Sequence, residues 1–214
     1  MFSAPHTQPG GARKHSYDAA VAEDLNCLRE SKSRNDHSAF QATQEIIRLS
    51  RDQLREMVPE LMGMVRDNPN CLPNVNLILG QFFVPPFLRQ SMGIQEASRL
   101  MPYLQDNDLG VRLLAAWGVA IIMRNESPPE VLHAALQGLT SKDEESIQSA
   151  LSPLSNMLSD GTASRSPVDS WYSGTDAQEL VTALKEVAKN SDRPQSRALA
   201  TELLIDLGHD GMQP

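Results

Sequence analysis

At 214 residues the chain can bury a substantial core in one elongated domain or two small ones, and 40% hydrophobic with 21% charged residues is the balance of a folded globular protein, which excludes disorder throughout. Aromatic residues are only 5% while Leu, Ala and Met are plentiful, so the composition favours helix and leaves almost no strand. The net charge of -8 is unevenly placed, with 13 basic and 13 acidic side chains in residues 1–124 but 6 and 14 in residues 125–214; such an acidic surface repels phosphates and argues against nucleic-acid or anionic-membrane binding.

Residues 1–16 are rich in Pro, Gly, Ser and Thr, and no acid precedes Asp18, so they read as a disordered tail. Two processing alternatives compete with that reading. One is a polar export leader of the bacterial type III kind; the other is a mitochondrial presequence, which Pro5, Pro9, Gly10 and Gly11 oppose by breaking an amphipathic helix.

Residues 17–214 are expected to form a single helical domain. Its first helix, Tyr17 to about Ser31, places Ala20, Val21, Leu25 and Leu28 on one stripe. Ser38 to Gln41 and Ser50 to Gln53 both spell capping boxes, the first ahead of Ile46, Ile47 and Leu49, the second ahead of Leu54, Met57, Val58, Leu61 and Val65. Past the turn Asn68-Pro69-Asn70, the run from Pro73 to Phe83 is apolar nearly all round, which predicts an internal helix. Val84-Pro85-Pro86 stops it, because proline lacks the amide donor and restricts the residue before it.

The next helices span about Ile94 to Leu104 and Leu109 to Arg124. Ser127-Pro128-Pro129-Glu130 predicts a helix start ahead of Val131 to Leu139, and Ser141-Lys142-Asp143-Glu144 predicts another ahead of Ile147, Ala150, Leu151, Leu154, Met157 and Leu158. Residues 159–174 then break the rhythm with small and turn-forming residues, an inserted loop of the kind that carries function on rigid scaffolds. Thr175 restarts a helix bearing Leu180, Val181, Leu184 and Val187. Arg193 to Leu207 supplies the last helix, and Gly208 is placed to end it.

The turns at Asn68, Asp106, Ser141 and Ser191 lie 38, 35 and 50 residues apart, and the last gap falls to roughly 35 without the loop, which fits two-helix repeats. Residues 100–122 resemble a HEAT-type repeat. There Asp108 matches the family's turn acid, Val111-Arg112 opens the second helix, and Ala115, Ala116 and Gly118 are small where helices pack closely; Ser191-Asp192 and Ser196 to Ala200 match in part. The resemblance implies an all-α, right-handed stack of antiparallel helix pairs, a HEAT-like α-solenoid of four pairs behind one to three leading helices. It also implies that Asp108 and Arg112 form a structural ladder between repeats. An irregular helical bundle is the alternative, since amphipathic helices on short loops read alike.

No catalytic motif is spelled: there is no P-loop, dinucleotide fingerprint, His-Glu-x-x-His or Gly-x-Ser-x-Gly. Cys27 and Cys71 make neither a disulfide framework nor a metal spacing and read as small buried groups in a reducing compartment, and no cofactor is expected. A thiol hydrolase or a lyase on the helical fold is the enzyme alternative, with Cys27, Cys71 and His133 as its candidates. Lys142-Asp143-Glu144-Glu145 looks like an acid cluster, yet its acids stand in a first helical turn where they complement the macrodipole. Asn125-Glu126-Ser127 is a chance glycosylation spelling. Trp171 and Tyr172, adjacent aromatics in a polar loop, either fold back over the stack or anchor a partner. The Phe82-Phe83 and Phe87 cluster poses the same choice, its place at a helix end favouring packing.

The expected function is a non-catalytic protein-binding scaffold or adaptor. Its candidate contacts are Trp171, Tyr172, Glu144 and Glu145, and its expected partner a protein with a basic segment that docks on the acidic C-terminal side. No run approaches the ~18 apolar residues of a membrane span, so the expectation is cytoplasmic, with a secreted bacterial effector binding a host protein as the alternative if residues 1–16 are a leader.

Overall fold

The computed structural model describes residues 18–83, 92–158 and 174–208, which are helical or in short connections, with no strand among them. No helix among the described residues is long and apolar enough to cross a membrane. The chain divides into two compact units, residues 1–78 and 79–214.

The first unit holds α1 (Ala19–Arg29), α2 (His37–Ile46), α3 (Arg51–Asp67) and, after a 3-10 turn at Pro69–Cys71, the start of α4 (Leu72–Phe83). From its predicted stripe α1 buries Leu25 and Leu28. Asp36, not Ser38, caps α2: its Oδ1 accepts the Ser38 and Ala39 amides, so the helix begins earlier than the capping-box spelling suggested. Ser50 and Gln53 do form their capping box at α3. That helix runs on through Pro59 although an interior proline costs about 3 kcal/mol. Burial of Met57, Val58, Leu61, Met62, Met64 and Val65, at about 1.5–3 kcal/mol per large apolar side chain, outweighs the break. Helix α4 buries Val75, Ile78 and Leu79 but leaves Leu77 36% exposed, so its apolar sequence is not internal all round.

The second unit holds α5 (Met92–Leu100), a 3-10 turn at Met101–Gln105, α6 (Leu109–Met123), α7 (Pro129–Leu139), α8 (Glu144–Leu158), α9 (Gly174–Asn190) and α10 (Pro194–Asp206). The helix expected to reach Leu104 tightens at Pro102, where the missing amide cannot continue the α ladder. Helix α6 packs against α5, α7 and α8; α7 meets α8 and α9; α10 meets α8 and α9. Small residues let α6 sit inside this group, with Val111, Leu113, Leu114, Ala115, Ala116, Gly118, Val119 and Ala120 all buried. At Gly138 α7 lies close against α8, since a Cβ there would lie 2.7 Å from the Ala150 Cβ.

Arg124 ends α6 at φ 48, and its carbonyl accepts both the amide and the hydroxyl of Ser127. Ser127 is therefore unavailable as the cap of α7, which starts at Pro129 without a side-chain cap. Gly208, at φ 76, follows α10 and donates its amide to the Ile205 carbonyl, as its place in the sequence suggested. The tail 1–16, the segment around Val84-Pro85-Pro86, and Trp171 and Tyr172 lie outside the described residues.

Candidate interaction surface and its turn ladder

The turn residues Asn68, Asp106, Ser141 and Ser191 each make the same kind of bond. Each accepts, through its side chain, the amide two residues on: Asn68 Oδ1 from Asn70 at 3.1 Å, Asp106 Oδ1 from Asp108 at 3.0 Å, Ser141 Oγ from Asp143 at 3.0 Å, and Ser191 Oγ from Arg193 at 3.2 Å. Short polar side chains favour this local closure over continued helix, which is why such residues stand where helices turn. Ser141 thus shapes the turn, while Asp143 caps α8 by accepting the Ser146 amide at 3.0 Å.

Six residues beyond two of these turns stands an arginine that reaches back. Arg112 Nη1 donates to the Asp106 carbonyl at 2.5 Å, and Arg197 Nη1 donates to the Ser191 carbonyl at 2.7 Å. Arg112 also donates Nε to Gln137 Oε1 on α7 at 3.1 Å. Asp108 caps α6 by accepting the Val111 amide at 2.9 Å. In that turn the arginine is bonded to the carbonyl of Asp106, and the carboxylate of Asp108 serves the helix end.

Glu144 and Glu145, the acids expected to face a partner, hold the turn between α9 and α10. Glu144 accepts the Ser191 hydroxyl at 2.8 Å and the Asp192 amide at 2.9 Å, one on each carboxylate oxygen. Arg193 donates to Glu145 and to Gln148. These bonds join residues 45 to 48 positions apart, across the segment between α8 and α9.

On the exposed surface of the second unit stand Glu179, Glu186, Asp192, Glu202 and Asp206, against Lys142, Lys185 and Lys189, while Arg112, Arg193 and Arg197 are bonded and half-buried. In the first unit, the amides of Lys32 and Ala39 hold the Asp36 carboxyl below its ordinary value. Burial, then the carboxylates of Glu45 and Glu23, raises that of Asp24.

The thiol candidates are placed differently. Cys71 is fully buried, which pushes its thiol up to about 11, away from the nucleophilic thiolate, while Cys27 is half-buried. His133 is exposed on α7. Among the described residues no three His, Cys, Asp or Glu side chains group as a metal site. Sequence reasoning missed Asp106, Gln137, Gln148 and Arg193 as bonding partners; the available signal was an arginine six residues past a polar turn at both 106 and 191. Comparisons with protein-family models, curated proteins and solved structures find no match to this chain.

Proposed function

We propose that this chain is a HEAT-like helical-repeat scaffold that binds a protein partner through its acidic C-terminal part and performs no catalysis. The repeated turn bond at Asn68, Asp106, Ser141 and Ser191 supports the repeat reading. So do the contacts within the second unit, where α6 meets α8, α8 meets α10 and α7 meets α9. The observation that carries the functional reading is the excess of exposed carboxylates in the C-terminal part, Glu179, Glu186, Asp192, Glu202 and Asp206, over the exposed Lys142, Lys185 and Lys189, which suits a partner segment rich in Lys or Arg. The protonated, buried Cys71 weighs against the thiol-enzyme alternative.

Affinity capture with the intact chain, compared with a chain lacking residues 159–174, identifies a partner and the loop's share in binding. The purified partner is then titrated against Glu179→Lys and Glu186→Lys variants at several salt concentrations. Slower association with a shallower salt dependence is expected, because exposed charges act on encounter more than on stability. Binding indifferent to these charges would remove the electrostatic reading. An activity abolished by substituting Cys27, Cys71 or His133 without unfolding would replace the scaffold with an enzyme.

A further inference from the structure

We draw no further inference here: the strongest candidate, the first turn of α10, which has no side-chain cap and holds the unpartnered hydroxyl of Ser196, carries nothing, because that hydroxyl is sealed inside the fold and the carboxylates of Glu144 and Glu145, bonded to the adjoining turn, oppose an anion there.

Discussion

Gly63 and Gly138 are both helical glycines, and their surroundings predict opposite responses to the same methyl group. A Cβ at Gly63 meets nothing within 4 Å, so Gly63→Ala should stabilise the protein by about 0.5–1 kcal/mol through the lower chain entropy of alanine. At Gly138 the added carbon lies 2.7 Å from the Ala150 Cβ and 3.0 Å from the Ser146 carbonyl, atoms that move only with the backbone. Overpacking of about 1–3 kcal/mol exceeds the helix-propensity gain of about 1 kcal/mol, so Gly138→Ala should lower the urea midpoint. Neither outcome is legible in the sequence, where both glycines sit in apolar helical runs and only packing separates them.

The cysteines divide in the same way. Burial that holds Cys71 protonated predicts that iodoacetamide modifies Cys27 in the native protein at mildly alkaline pH and reaches Cys71 only after unfolding. Rapid native labelling of Cys71, followed by mass spectrometry, would contradict its burial. At Asp36 the folded carboxyl stays ionised to lower pH than the unfolded one. Its contribution is complete above the ordinary value of 3.8 and disappears as pH falls through the lower folded value. Asp36→Asn, which keeps a capping oxygen, should therefore flatten the acid limb of a stability-against-pH curve below about 4.

Among the elements, α8 joins local and distant structure most closely. The first-turn acids Glu144 and Glu145 suit a helix dipole, and that local reading was sufficient from sequence alone. Their bonds to Ser191, Asp192 and Arg193 depend on packing of helices far apart in the chain, which no window of sequence reports. Glu144→Ala should cost about 1–2 kcal/mol, since it strips a charged acceptor from two donors of the distant turn. Glu145 and Arg193, 30% and 37% exposed, should couple by only about 0.5–1 kcal/mol in a double-mutant cycle. A cycle energy near zero would mean that Arg193 is held by Gln148 alone. Helix starts were legible where one residue could reach the free amides, as at Ser50. They shifted where a nearby group competed, as Asp36 did with Ser38 and the Arg124 carbonyl did for Ser127.

At the scale of the molecule, the all-helical character was legible because every apolar run follows a period near 3.6 and none alternates strictly. Far-UV circular dichroism should show a helical spectrum, and a substantial sheet component would contradict the fold class. Which helices meet was less legible. The 38- and 35-residue spacings mark turns, but how closely α7 meets α8 depends on where small residues such as Gly138 and Ala150 permit approach. The candidate surface was legible only as an excess of acid. Its reduction to particular carboxylates required knowing which of them packing leaves exposed, as it does Glu179 and Glu186.

The clasp between the start of α8 and the turn of α9 and α10 also has an engineering consequence. Side-chain bonds fasten the turn of α9 and α10 to the start of α8 independently of chain connectivity, and doubling a connection's length costs only about 0.6 kcal/mol in closure entropy. Two fragments of the chain, one ending with α8 and the other beginning with α9, should therefore reassemble on mixing, and Glu144→Ala should weaken that reassembly.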